Sequence, residues 1–394
     1  MSEPRRQRIL LVTRNLPPLI GGMERLNWHM AQELARYGEV CVVGPTGSAA
    51  LAPVGVTIVE VPLRPLWKFL FSAWFEARKL VRRWRPDIVI AGSGLTALPA
   101  WLASRGVGAR TAAYVHGLDM VVPHPVYKRL WLPTLRRMQR VIANSEATRG
   151  LAISAGIAAS RICIVHPGVQ LPTPPAADVT KRFRAEFGLE DWPLLLSVGR
   201  LSTRKGIREF VTHALPRIVK AVPWATLLVV GDAPSDALYA GIQSIDSIKT
   251  AAAQAGVAER LRFLGQITDY QRLGVAYAAA NVHVFPVREL PGDPEGFGMV
   301  AVEAAAHGLP TVAFATGGVI DAVTEGRSGH LVKAGDYDAL ADAVVHVLTS
   351  RTGLASECKE FARRFTWDAF GEGMARAVSV GGDAEQVPRA SPKS

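Results

Sequence analysis

The chain has 394 residues, 49% of them apolar, and a net charge of +11. That much apolar sequence can bury a large core and suits two domains, and it excludes a disordered or low-complexity chain. No apolar run approaches a membrane-spanning length, and Cys41, Cys163 and Cys358 are too few and too widely spaced for a disulfide framework or a cysteine metal site, so a cytoplasmic protein is expected.

Arg8 to Thr13 reads as the first strand, with an apolar run too short for a signal peptide. The loop from Pro17 to Gly22 follows, then a helix to about Tyr37 and a strand Val40–Val43. Gly21-Gly22 at the helix start would let a phosphate approach the backbone, although a glycine pair is also ordinary turn chemistry. Arg64 to Pro86 is a predicted helix with Leu66, Trp67, Leu70, Phe71, Trp74, Val81 and Trp84 among Lys68, Arg78, Lys79, Arg82, Arg83 and Arg85. Two readings fit it: a core helix with a solvated basic edge, or a basic aromatic helix lying on an anionic membrane surface.

Asp87 to Ala97 is a strand followed by Gly92-x-Gly94-x-x-Ala97, a dinucleotide-binding pattern. It falls on an internal strand and lacks an acid at the expected distance, which argues against nicotinamide or flavin chemistry. Tyr114 to Asp119 ends another strand, and His116 there is either structural or able to hydrogen-bond a substrate.

The strand–loop–helix pattern restarts near residue 190, after a joint containing Pro167, Pro172, Pro174 and Pro175. Leu194–Val198 is a strand, Gly199–Gly206 a loop, Ile207–Ala221 a helix and Thr226–Val230 a returning strand. Near-continuous apolar strands alternating with helices predict parallel sheets covered on both faces. The expected fold is therefore α/β, with two Rossmann-like doubly wound parallel-sheet domains facing across a cleft. In the second loop, Arg200 and Lys205 can aim positive charge where phosphates lie, and no Gly-Lys-Ser/Thr ending makes it a P-loop. Farther on, Glu295-Gly296-Phe297-Gly298 precedes a helix Met299–His307. Its free N–H groups and dipole make an anion site, and Glu303 lies one turn inside.

The charge is uneven. Residues 1–170 carry 22 Lys/Arg against 9 Asp/Glu, whereas residues 171–394 carry 23 against 25. A basic first half points to an anionic partner, and Lys128, Arg129, Arg136, Arg137 and Arg140 add to that field. No nucleic-acid motif accompanies the charge, so a nucleic-acid partner is not expected. No His-Glu-x-x-His, cysteine cluster or Gly-x-Ser-x-Gly supports zinc or serine hydrolysis.

In order along the chain, Gly21-Gly22, His116-Gly117-x-Asp119, Gly199-Arg200-x4-Lys205-Gly206, Val230-Gly231-Asp232 and Glu295-x7-Glu303 resemble the retaining glycosyltransferases of family 4, with the GT-B fold. The resemblance spans nearly the whole chain. It implies an acceptor-binding domain over 1–170, a nucleotide-sugar domain over 171–365, and a helix 366–380 returning to the first, with 381–394 a disordered tail. It implies that Arg200 and Lys205 hold the diphosphate, that Glu295 binds donor-sugar hydroxyls beside the N–H groups of Gly296, Phe297 and Gly298, and that Glu303 binds the ribose. Gly21 and Gly22 would approach the phosphate and His116 would line the reacting centre.

The implied reaction moves a hexose from a UDP- or GDP-linked donor to a lipid-linked or glycan acceptor, without a metal or other cofactor. The alternatives are a same-fold nucleotide-sugar epimerase or a soluble small-molecule glycosyltransferase and, more remotely, a non-enzymatic basic protein binding nucleic acid or membrane. Asp321, Gln170 and the approach Arg288–Asp293 depart from the usual family pattern and bear on sugar choice.

Overall fold

The computed structural model describes residues 6–189, 191–233, 241–350 and 353–379. The expected tail over 381–394 lies outside them. The described residues form two compact units, one within 6–168 together with 367–379 and the other within 169–366.

The first unit is built on a sheet of seven strands among the described residues: β1 (Gln7–Val12), β2 (Gly38–Pro45), β3 (Val56–Val61), β4 (Ile88–Ala91), β5 (Arg110–Val115), β6 (Arg140–Ala143) and β7 (Ile162–Ile164). Their spatial order is β3-β2-β1-β4-β5-β6-β7, all parallel. Ile9 to Val12 and Ile88 to Ala91 are buried on both faces, which is why these strands read as unbroken apolar runs. Helices α1 (Gly22–Leu34), α2 (Leu66–Trp84) and α3 (Gly94–Ser104) cross between strands. The helix Trp367–Val378 packs against α1, where the Trp367 ring stacks on His29 at 3.8 Å.

α2 inserts Phe69, Ala73, Ala77 and Val81, one residue per turn, into this core. It stops where Arg85 turns left-handed at φ 50 and Pro86 follows, a residue that cannot continue a helix.

The second unit has six strands among the described residues: β8 (Leu194–Val198), β9 (Thr226–Val230), β10 (Leu261–Gly265), β11 (Val282–Phe285), β12 (Thr311–Phe314) and β13 (Gly329–Val332). Their order is β10-β9-β8-β11-β12-β13, again all parallel. Strand order reverses between β1 and β4 in one sheet and between β8 and β11 in the other. At such a point the two following loops diverge to opposite faces and leave a crevice at the strand ends. The Gly199–Gly206 loop follows β8 and the loop bearing Glu295 follows β11, so topology alone makes neighbours of segments some 90 residues apart.

Candidate active site

In the second unit a short 3₁₀ turn, Thr203–Lys205, ends at Gly206 with φ 68 and leads into the helix Ile207–His213. Lys205 Nζ donates to Glu295 Oε2 at 2.9 Å and lies 4.5 Å from the centre of the Phe285 ring. Arg204 Nε donates to the same oxygen at 3.1 Å. The Arg204 Nη1 branch reaches Asp293 Oδ1, and the Pro294 carbonyl at 3.4 Å. Both charged partners of Glu295 thus use one carboxylate oxygen, and Oε1 has no hydrogen-bond partner among the described residues.

The site is partly shielded, with 13% of the Arg204 side chain and 11% of the Glu295 side chain exposed. Burial by itself would raise the Glu295 carboxyl, but Lys205 and Arg204 outweigh it and hold it down at about 2. Burial lowers the Lys205 ammonium from its ordinary value. Glu295 pulls it back, and Arg204 and Arg200 push it further down. Arg200 is exposed, and its guanidinium makes no hydrogen bond or ion pair among the described residues. Arg200, Arg204 and Lys205 therefore face Asp293 and Glu295, an excess of positive charge at a sheet's carboxyl end that favours an anion. Gly199, Arg200, Lys205 and Phe285 border a narrow gap there, too tight to hold a water molecule.

The backbone at Glu295 is set by a second loop. Gly318 N–H donates to the Glu295 carbonyl at 2.9 Å, and a Cβ on Gly318 would sit 2.0 Å from the Gly296 carbonyl oxygen. Only glycine permits that approach. Gly298, left-handed at φ 94, caps the helix Met299–Ala306, and Phe297 is buried behind it against Phe365. One turn in, Glu303 Oε2 accepts from Tyr277 Oη at 3.0 Å. Tyr277 stacks on His307 at 5.0 Å. Burial lowers His307 to about 4.

Other expected residues lie in the first unit. A Cβ on Gly21, the residue before α1, would meet Glu24 Oε2 at 2.3 Å, and Asn15 holds the other Glu24 oxygen at 2.6 Å. The start of α1 thus already carries a carboxylate of its own. His116 Nε2 lies 3.2 Å from the Gly92 carbonyl, a contact that requires the proton on Nε2. Its backbone N–H donates to Asp119 Oδ2 at 2.9 Å. Gly94 is the point where Asp119 packs on α3, since a Cβ would meet the carboxylate carbon at 2.6 Å. The Gly92-x-Gly94 pattern therefore serves side-chain packing. Among the described residues no group of three or more His, Cys, Asp or Glu is placed to hold a metal.

The structure brings Lys205, Glu295 and Gly296 to Gly298 together, with Arg200 beside them. It adds Arg204, to which no role was assigned from the sequence, and Asp293, noted there only as the end of the approach that bears on sugar choice. Both had a signal: Arg204 adjoins Lys205, and Asp293 and Glu295 alternate along an extended loop, which turns both carboxylates to one side. Tyr277 had none, because its helix meets Glu303 only through the tertiary fold.

The aromatic stripe on α2 divides differently from the periodicity reading. Leu70, Trp74 and Trp84 pack on the core and Val81 is within it, whereas Trp67 at 69%, Phe71 at 60% and Phe75 at 54% exposure form an outward row. Phe75 was not in the expected stripe. Lys68, Lys79, Arg82 and Arg83 are exposed on the same helix. The segment Tyr127–Trp131 packs on α3 and exposes Leu130 beside Lys128 and Arg129. Among the described residues no helix is long and apolar enough to cross a membrane.

Two parallel-sheet Rossmann-like units, with a basic loop at the switch point of the second, are the architecture of the GT-B fold. Residues 20–171 match the family model described as Glycosyltransferase Family 4, and residues 192–350 match Glycosyl transferases group 1. The chain belongs to the family 4 glycosyltransferases. It is 30% identical over 370 residues to a GDP-mannose-dependent alpha-(1-6)-phosphatidylinositol monomannoside mannosyltransferase of Mycobacterium tuberculosis, covering 87% of this chain and 90% of the relative. A D-inositol 3-phosphate glycosyltransferase of Mycolicibacterium smegmatis is 35% identical over 249 residues, 61% of this chain and 53% of that one. The crystal structure of Anabaena HepE in complex with UDP superposes with a TM-score of 0.76 at 21% identity, covering 94% of this chain and 98% of that one. At that identity the likeness speaks for the fold.

Proposed function

We propose that this glycosyltransferase moves a hexose, with retention, from a nucleoside-diphosphate sugar to a hydroxyl of a lipid-linked or anionic glycan acceptor, at a membrane surface and without a metal. The observation that carries the reading is the cluster of Arg200, Arg204 and Lys205 around Glu295. A departing diphosphate needs compensating charge, and two cations with a helix N-terminus supply it where no metal does. In this reading Arg200 and Lys205 bind the diphosphate, Glu295 offers Oε1 to a sugar hydroxyl, and Glu303 receives the ribose. The N–H groups from Gly296 to Gly298 steady the departing charge. Gly21 and Gly22 approach the phosphate once the Glu24 carboxylate moves off Gly21, and His116 meets the reacting sugar. Retention follows if the acceptor attacks on the face that the diphosphate leaves.

GDP-mannose is the donor to test first, because that name attaches to a relative 30% identical to this chain, and a UDP-linked sugar is second. The names of the relatives also favour an acceptor bearing an inositol or a similar polyol beside a phosphate, which suits the basic first unit. The outward row Trp67, Phe71 and Phe75, among exposed lysines and arginines, supports delivery at an anionic bilayer, rings in the headgroup layer and cations on the phosphates.

The test is thermal shift in EDTA with GDP, UDP and their hexose conjugates, beside Arg200→Ala/Lys205→Ala. Stabilisation by one nucleoside diphosphate, lost in the variant, is the expected result. No response to any of them removes the donor assignment.

A further inference from the structure

The reading above leaves Lys205 with two tasks, since it neutralises Glu295 in this structure and must meet a phosphate during transfer. We propose that Arg204 is a positioning residue that holds Glu295 in place so that Lys205 is free to change partners when the donor binds. The inference rests on the donor assignment for Lys205 and Glu295.

The geometry of Arg204 is that of a bridge. Its Nε takes Glu295 Oε2, and Nη1 takes Asp293 and the Pro294 carbonyl, so one planar guanidinium spans the loop on both sides of Pro294. The turn is tied down from the other direction as well, because Arg288 N–H donates to the Arg204 carbonyl at 2.8 Å. Arg288 itself is engaged elsewhere, donating to Glu209 Oε1 at 2.9 Å. Among the described residues Arg204 is thus the guanidinium of this loop pair that is committed to carboxylates on the β11 side. If Lys205 alone neutralised Glu295, turning it towards a phosphate would leave a shielded carboxylate unpaired, a costly arrangement. With Arg204 in place, Glu295 keeps a charge partner and its orientation, and Oε1 stays turned away from both cations. Asp293 completes the device, because without it the second branch of Arg204 has only a carbonyl to hold.

Three variants test this: Arg204→Met, Arg204→Lys, which keeps the charge but cannot span both sides of Pro294, and Asp293→Asn. Thermal melting of each without ligand establishes that it folds. Nucleoside-diphosphate binding is followed by thermal shift and transfer by kcat and KM against pH. The clamp predicts that Arg204→Met keeps its response to the free nucleoside diphosphate, which Arg200 and Lys205 still meet. It also predicts a loss of sugar transfer on the order of 100-fold, as for a misplaced reacting group. The acid limb of kcat/KM should move to higher pH, because Glu295 has lost one of the two charges that depress it. Arg204→Lys should restore part of the transfer and most of the pH profile. Asp293→Asn should show a smaller loss with little change in the limb.

Loss of the nucleoside-diphosphate response in Arg204→Met overturns the proposal by making Arg204 a phosphate ligand. Unchanged transfer and an unchanged acid limb overturn it by making the bridge idle. If Arg204→Met does not fold, Arg204→Lys and Asp293→Asn carry the same two readouts. A wild-type protein that answers to no nucleotide instead refutes the donor assignment and leaves the bridge a purely structural ion pair.

Discussion

The two strand-order switch points share a topology and differ in chemistry. In the second unit the loops after β8 and β11 meet through charge, with Arg204 and Lys205 on one Glu295 oxygen and Arg200 exposed beside them. In the first unit the loops after β1 and β4 meet through packing. A Cβ on Gly92 would lie 2.0 Å from Asn27 Oδ1 and 2.8 Å from Thr13 Oγ1, and His116 hydrogen-bonds to the Gly92 carbonyl. Buried oxygens there, Asn27 Oδ1 and Ser93 Oγ, have no hydrogen-bond partner among the described residues. The sheet decides where a site lies, and the residues brought to it decide what it does. Cations and carboxylates meet at one switch point, and packed neutral groups meet at the other.

The sharpest way to break that contrast is to push the same small group into each crevice. Gly318→Ala sets a methyl against the Gly296 carbonyl and should displace the Gly296–Gly298 N–H groups together with Glu295, weakening the thermal response to nucleoside diphosphates while costing about 1–3 kcal/mol of stability. Gly92→Ala should cost a similar amount by urea titration, roughly 1–3 kcal/mol, yet keep that thermal response, because the diphosphate groups are in the other unit. Equal loss of nucleotide binding in both variants would erase the distinction drawn here.

A smaller effect is expected at the outward face of α2. Replacing Trp67, Phe71 and Phe75 by serine should weaken co-sedimentation with phosphatidylglycerol vesicles by about tenfold for each ring lost, and leave nucleotide binding intact. The same binding to neutral phosphatidylcholine vesicles, or no loss in the triple variant, would argue that the row serves something other than an anionic bilayer.

The smallest contrast is in pH dependence. Burial holds His29 of the first unit at about 4, and His307 and His283 of the second at about 4 and about 3, all below the ordinary 6.5. A histidine with a depressed folded value costs no stability above pH 6.5 and destabilises the fold as pH falls from there towards the folded value, since the unfolded chain takes the proton while the buried ring stays neutral. Two such histidines against one predict that the second unit loosens more between pH 7 and 5, read by amide exchange in each. His307→Gln should flatten that difference. Glu295 adds to it only below its ordinary 4.5, where protonation on the way down to about 2 releases the stabilisation given by Lys205 and Arg204.

The chain by itself determined the alternation of strands and helices, the restart near residue 190 and the two charged loops. Each rests on local signals: apolar runs, glycines at helix starts and the order of motifs. Arg200, Lys205, Glu295 and Glu303 were legible because their motifs hold charge at fixed spacing. Only the tertiary structure decided that Lys205 and Glu295 are partners, that Arg204 bridges Asp293 and Glu295, and that Tyr277 holds Glu303. Those contacts join residues 26 to 91 positions apart, and no local pattern encodes a pairing set by strand order. The same holds for α2, where the periodicity announced an amphipathic helix. Which aromatics faced the core was settled by the rotation at which Phe69, Ala73, Ala77 and Val81 fit the sheet. Local sequence sets what each segment can be, and packing against distant segments selects the one arrangement that buries its apolar face.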